Sequence, residues 1–260
     1  MDLQLKGKSV LITGGSKGIG FATAKTFAAE GASLHLAARN QHDLEKAKAE
    51  IVDEFEVPVS IHAVDLSQGN IVRELADTCR EAEILINNAG AIAAGSLNDI
   101  DEELWREGWD LKVYGYINMM RAMYTHMKAQ GRGVIINVCG TAGNQPAADH
   151  VAATTANSAL ITLTRAVGGK SLDDGIRVVG INPGDMENER GTMFLRRYAE
   201  KKLGDADRWR EMLNDLPGGR AGTSKDMANV MVFLASPKAS YVNGVVLSVD
   251  GGLSARQAVI

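Results

Sequence analysis

The sequence predicts an α/β fold, a single domain over residues 1–260 built on an open, doubly wound parallel sheet. Three observations carry that prediction. Short apolar runs alternate with amphipathic helical stretches along most of the chain. The runs are bounded by Gly, Asp, Asn or Pro, as buried parallel strands are. A length of 260 residues is enough to bury a sizeable core in one large domain.

The expected strands are 9–12, 33–37, 59–64, 84–86, 133–138, 177–181 and 245–249. Between them the spacing predicts helices over 18–30, 41–54, 69–80, 101–130, 152–173 and 224–235. Right-handed crossovers would place ligands at the carboxyl ends of the strands. A formal net charge of -4 gives no argument for nucleic acid or an anionic membrane as partner. The two cysteines, Cys79 and Cys139, imply no disulfide framework. No apolar run is long enough to span a bilayer, and the first residues lack a signal-peptide pattern, so a cytoplasmic protein is expected. No metal site is expected, and there is no internal repeat.

The first strand runs into Thr13-Gly14-Gly15-Ser16-Lys17-Gly18-Ile19-Gly20, and a helical pattern follows. A glycine-rich turn between a buried strand and a helix is suited to hold phosphate. Gly14 and Gly18 can take backbone angles that other residues avoid, and Gly20 lets helix and strand pack closely. The second strand ends in Arg39-Asn40, with no acidic residue to select a ribose 2′-OH. Arg39 offers a planar fork for a 2′-phosphate, and Lys17 adds a second cation. NADP(H) is therefore the expected cofactor, ahead of NAD(H). Asp43 and Glu45 read as first-turn residues of the next helix. The third strand ends at Asp65-Leu66, where Asp65 either bonds the adenine amino group or caps the helix that starts near Gln68. Asn87-Asn88-Ala89-Gly90 closes the fourth strand and would border the cofactor sugar.

With these segments, the chain resembles the classical short-chain dehydrogenase/reductase family. The matching stretches are 13–20, Asp65, 87–90, 133–143, Asn182-Pro183-Gly184 and Val249-Asp250-Gly251-Gly252. The spacing holds over residues 6–252. The resemblance implies a Rossmann-type domain, NAD(P)(H) binding, a small-molecule substrate, and a homodimer or homotetramer. It also implies an active site after the fifth strand, with a serine, a Tyr-x-x-x-Lys on the next helix and an asparagine in the long helix before it. In such enzymes the tyrosine exchanges a proton with the substrate oxygen beside a hydride donor.

The sequence departs from that pattern at all four positions. The serine position falls on Gly140, the tyrosine on Ala153, the lysine on Asn157 and the asparagine on Lys112. Lys and Asn have thus traded places, so Lys112 either hydrogen-bonds Asn157 and restores a cation near the site, or has drifted independently and extends to solvent. His150, three residues before Ala153, is a candidate proton donor, or else an exposed loop histidine beside Asp149. Cys139 is expected to be a packed thiol, and Thr141 offers a hydroxyl. Tyr124–Lys128 and Tyr198–Lys202 repeat the Tyr-x-x-x-Lys spacing. The first is expected at the bottom of the sheet and the second in a lid.

The remaining chain completes the pocket. Asn182-Pro183-Gly184-Asp185-Met186 would wrap the nicotinamide carboxamide, with Pro183 and Gly184 as contacts. Residues 187–217, polar and charged, predict a substrate lid of two helices. Met186, Met193, Phe194 and Leu195 would form an apolar wall, and the apolar tail at 253–260 would pack at a subunit interface. The sequence supports an NADP(H)-dependent oxidoreductase of a small carbonyl, alcohol or ring substrate with altered proton handling. Its alternative is a catalytically silent nucleotide-binding or scaffold protein on the same fold.

Overall fold

Seven parallel strands form one sheet in the order β3-β2-β1-β4-β5-β6-β7 in a computed structural model that describes residues 1–256. The strands are β1 (Ser9–Thr13), β2 (Ser33–Ala38), β3 (Val59–Ala63), β4 (Ile84–Asn87), β5 (Gly133–Val138), β6 (Ile176–Pro183) and β7 (Val246–Val249). β1 pairs with both β2 and β4, so the strand order reverses beside β1. Loops leaving β1 and β4 diverge there, which opens a crevice at the carboxyl edge. β6 runs to Pro183 because a proline at the last position owes the ladder no N–H.

Helices cover both faces. α1 (Gly18–Ala29), α2 (Gln41–Glu54) and α8 (Ser224–Ala235) enclose one core with Phe27, Leu44, Met231 and the inward residues Leu34, Leu36 and Ile86. α3 (Gly69–Thr78) and α5 (Gly115–Gln130) enclose the other, with Leu75, Met119, Met123 and Ile135. α6 (Val151–Ser171) lies on this second face through Leu163 and Val167. The alternation of inward residues along each strand follows from the pleat, which sends neighbours to opposite faces.

The long helix expected over 101–130 is not continuous. α4 (Glu102–Trp109) passes into a π turn at Asp110–Tyr114 before α5 begins. Such widened turns occur mostly at functional sites, and this one carries Lys112. Asp101 caps α4 by accepting from Leu104 N–H at 2.9 Å.

The segment expected to form a lid folds as α7 (Glu189–Leu203) and a 3-10 segment, Ala206–Asp215. They share a small core of Leu195, Ala199 and Met212. Leu195 therefore does not join the apolar wall expected of it, because it is 6% exposed inside the lid's own core. The lid's two ends are stitched by Glu187 N–H to Gly222 O at 2.7 Å and Gly222 N–H to Asp185 O at 2.8 Å. Of the tail expected at a subunit interface, residues 257–260 lie outside the described residues. No helix among the described residues is long and apolar enough to cross a membrane.

Candidate active site

The phosphate turn is held by side chains from β1 and β4. Thr13 Oγ1 accepts from Asn88 N–H at 2.9 Å and Ala89 N–H at 3.1 Å, and donates to Ile86 O at 3.3 Å. Asn88 Nδ2 donates back to Thr13 O at 3.1 Å and Gly14 O at 3.2 Å. Gly14 has φ +66° and a Cβ there would lie 2.8 Å from Asn88 Nδ2. A Cβ on Gly20 would overlap the Gly14 carbonyl. Gly18, at φ +55°, has open space on that side. α1 starts without a side-chain cap and without an acidic residue in its first turn. Its N-terminal N–H groups and positive dipole end are thus presented to an anion. The cradle fits a pyrophosphate.

At the β2–β3 end, Arg39 and Asp65 line a second cleft with Ser67, Gly90, Ile92, Met193 and Phe194. Asp65 does not cap α3. It accepts from Ser67 N–H at 3.0 Å and Ser67 Oγ at 2.9 Å, and these bonds lower its pKa. Lys17 forms an ion pair with Asp43 at 2.8 Å, so the second cation expected beside Arg39 is already partnered. Asp43 sits in the first turn of α2, where Asn40 caps its N–H at 3.0 Å. Leu66 is 5% exposed and packs into the core below the cleft rather than lining it.

The other end of the crevice is a cleft of about 310 Å³ lined by Ile19, Ile92, Lys112, Gly140, His150, Asn157, Gly184 and Phe194, among others. Its frame is a buried polar chain. Asn87 Nδ2 donates to Asn137 Oδ1 at 3.0 Å, Asn137 Nδ2 to Thr164 Oγ1 at 2.9 Å, and Thr164 Oγ1 to Leu160 O at 2.7 Å. With every partner satisfied, this chain fixes α6 on β4 and β5.

Lys112 reaches into that frame. Its Nζ donates to Asn157 Oδ1 at 2.8 Å and to Cys139 O at 2.9 Å. Its stem lies against Gly90, where a Cβ would come within 2.9 Å of Lys112 Cδ. Gly140 fits Asn157 in the same way, since a Cβ there would lie 2.8 Å from Asn157 Nδ2. Two glycines and one asparagine thus make room for the ammonium. Cys139 is buried, and its thiol is pushed up to about 11 by that burial, with Lys112 pulling the other way. It is a packed thiol rather than a nucleophile.

His150 is not the exposed loop histidine that was one reading of it. It is half-buried, precedes α6, and is anchored by a β-bridge to Gly95. Its ring meets Phe194 of the lid edge-on, with centroids 5.3 Å apart. Ala153 and Thr141 line the same cleft. Asp185, in the segment expected to wrap the nicotinamide, lines it too, and the carboxyl it brings to the cleft was not singled out by the sequence. Its carboxyl touches solvent through the cleft, yet the protein packed around it raises its pKa, while His150 pulls the other way. The only signal in the sequence was an acidic residue immediately after Pro183-Gly184 at a strand's carboxyl end.

Both remote Tyr-x-x-x-Lys pairs lie elsewhere. Tyr124 donates to Asp174 Oδ2 at 2.7 Å and Lys128 pairs with Asp174 Oδ1 at 2.9 Å, so both converge on one carboxylate just past the C-terminal end of α6. Tyr198 is 50% exposed on the lid. Lys202 sits 5.7 Å from its ring centroid while pairing with Asp215.

Residues 14–254 match the sequence family described as enoyl-(acyl carrier protein) reductase. The chain is 30% identical to a 3-oxoacyl-(acyl-carrier-protein) reductase of Chlamydia muridarum, over 98% of this chain and 100% of that one. Its structure is similar to that of L-sorbose reductase from Gluconobacter frateurii, solved with NADPH and L-sorbose. The TM-score is 0.91 at 30% identity, covering 99% of this chain and 100% of the other. It is also similar to an NAD⁺-bound xylitol dehydrogenase, with a TM-score of 0.89 at 26% identity over 96% and 100% of the two chains. The match spans the phosphate turn, the sheet and the lid alike, and the chain belongs to the short-chain dehydrogenase/reductase family of NAD(P)-dependent oxidoreductases.

Proposed function

We propose that this protein interconverts a small polyhydroxylated ketone and its alcohol with NADP(H), moving the proton without the family's tyrosine. The observation that carries the reading is Lys112 Nζ, held 2.8 Å from Asn157 Oδ1 at the wall of the catalytic cleft. It supplies a fixed cation where a substrate oxygen gains negative charge on reduction. His150 lies in the same cleft and is the proton donor to that oxygen, an imidazole being a side chain that can both give and take a proton. Thr141, Asn188 and Asp185 give the cleft the polar edge that a hydroxylated substrate needs, while Ile19, Ile92 and Phe194 give it an apolar side. The choice of a polyol or ketose also draws on the sorbose and xylitol enzymes to which the fold is similar.

Gly14, Ser16, Gly18, Ile19 and Gly20 would hold the pyrophosphate, Arg39 the 2′-phosphate, and Asn88, Ala89, Gly90, Pro183 and Gly184 the remaining nucleotide. The bound nicotinamide supplies or accepts hydride. Binding and orientation by these residues bring the carbonyl carbon into reach, and Phe194 on the lid excludes water from that side.

A second reading has its own support. Gly140 and Ala153 offer no hydroxyl at the cleft, so a silent nucleotide-binding protein fits the same geometry. Titration with NADPH, followed by a turnover screen over ketoses, polyols, aldehydes and quinones, separates the two. NADPH-dependent turnover lost in His150→Gln supports the first. Tight binding with no turnover of any substrate supports the second, and absence of binding defeats both. Rebuilding the family set is a further check. Asn157→Lys would face Lys112, so Lys112→Asn must accompany Gly140→Ser, Ala153→Tyr and Asn157→Lys. Activity confined to that rebuilt protein would count against His150.

A further inference from the structure

We propose that His35, His62 and Cys79 bind a zinc-like divalent cation, at a place separate from the cofactor cleft. His62 on β3 stands opposite Ala37 on β2, and His35 is two residues before Ala37, so both rings project from one sheet face. Ala37 packs with Val72, Leu75 and Cys79, so this is the face that α3 covers. Cys79 follows the last residue of α3. Donor atoms of the three residues lie within 4.8 Å of one another, the one such His/Cys/carboxylate cluster among the described residues.

The convergence is on a single atom. His62 Nε2 is 3.1 Å from His35 Nδ1 and 3.7 Å from Cys79 Sγ. A ring nitrogen has one in-plane position, filled by a proton or a lone pair. His62 Nε2 therefore cannot serve both neighbours as a hydrogen-bond partner, whereas one ion among the three atoms serves all of them. Zinc bond lengths give tetrahedral edges of about 3.3 Å for two nitrogens and about 3.6 Å for nitrogen and sulfur. The two observed separations stand close to those edges. The rings are stacked with an interplanar angle of 23°, and small ring rotations would aim both nitrogens at a common point.

Two imidazoles and a thiolate suit zinc and are foreign to magnesium and calcium. Three protein ligands leave a fourth position for water, and the half-buried histidines keep that side accessible. A metal takes each imidazole in its neutral form, through a ring nitrogen's lone pair. Burial pushes the Cys79 thiol up to about 12. The ion must therefore displace that proton, which passes to solvent as the sulfur–metal bond forms. β3 ends one residue past His62, and Arg39 and Asp65 lie beyond the strand ends, so the site stands apart from the cofactor-binding residues.

Untagged, metal-stripped protein titrated with Co²⁺ as a spectroscopic stand-in for zinc tests the site, with NADPH affinity measured in parallel. The expected result is a thiolate-to-cobalt charge-transfer band that saturates at one ion per chain and is bleached by Zn²⁺. Cys79→Ser should abolish the band. His62→Gln should weaken binding by at least about tenfold, as loss of one ligand does. Both should leave NADPH affinity unchanged. No saturable band in the native chain would overturn the proposal, as would a band that survives Cys79→Ser. Should Cys79→Ser fail to fold, His62→Gln decides alone, and native cobalt affinity in that variant would overturn it.

Discussion

The crevice has two ends that are built differently. At the phosphate turn the working groups are backbone N–H groups and a helix end, and the side chains that matter are glycines, Thr13 and Asn88, which shape that backbone. At the Lys112 end the working groups are side chains, with Lys112 Nζ donating to Asn157 Oδ1 and to Cys139 O. At Gly20 this backbone chemistry tolerates no added Cβ, because the atom would meet the Gly14 carbonyl. Side-chain chemistry tolerates exchange, provided a cation, a partner and the space for both move together. Lys112, Asn157, Gly90 and Gly140 are such a set.

That contrast can be broken at either end. The largest effect should come from Gly20→Val, whose branched side chain would collide with the Gly14 carbonyl. NADPH affinity, read by fluorescence titration, should fall by about 100-fold or more, equivalent to about 2.7 kcal/mol. Lys112→Met should lower kcat by about 10²–10³-fold, the usual result of removing one preorganised charge from a reacting centre, with NADPH affinity nearly intact. If the melting temperature collapses instead, Lys112 is structural, since Asn157 Oδ1 and Cys139 O lose their donor together.

His150→Gln should cost about 10²-fold in kcat/KM, the low end for loss of a general acid. Unchanged kinetics would remove His150 from the chemistry. Arg39→Ala should weaken NADPH by about tenfold, or about 1.4 kcal/mol, while NADH affinity stays within about twofold, since the fork is lost only to the 2′-phosphate.

The smallest effect concerns Asp185, whose pKa is raised by the protein packed around it although its side chain reaches solvent. The folded chain then binds more protons than the unfolded one between the two pKa values. Stability is full below the unfolded pKa and falls as pH rises through the folded one. Asp185→Asn, which cannot ionise, should therefore melt up to a few degrees higher at neutral pH. The gain should vanish as pH drops below the ordinary carboxylate range. A gain that grows on acidification would reverse the assignment.

Sequence reading succeeded where one residue type has one physical use. Strands buried on both faces appear as unbroken apolar runs, so β1, β2, β4 and β5 were legible within a residue or two. The glycine turn was legible because strand, turn and helix stand in order. The Lys112–Asn157 contact was legible only through the exchange of residue types. The π turn was not, because apolar spacing on α4 and α5 looks the same whether or not one turn is widened. The place of His150 depends on a bridge to Gly95, some 55 residues earlier in the chain, and no local pattern encodes that. Leu195 looked like a wall residue because a lid's own core and a substrate wall have the same composition. The His35–His62–Cys79 cluster needed the β2–β3 register and the end of α3 at once.

The π turn has a mechanical consequence. A turn widened by one residue offsets everything after it by about 100° relative to an uninterrupted helix, the angle of one α-helical residue. α4 and α5 are thus two rotors with different phases, and Lys112 rides on the coupling between them. The exposed side of α4, where Trp105 and Tyr114 border a shallow hollow with Arg106, can therefore be remodelled without turning the ammonium away from Asn157. Deleting one residue from the widened turn would do the opposite. It would leave both helices intact and sweep Lys112 out of the cleft.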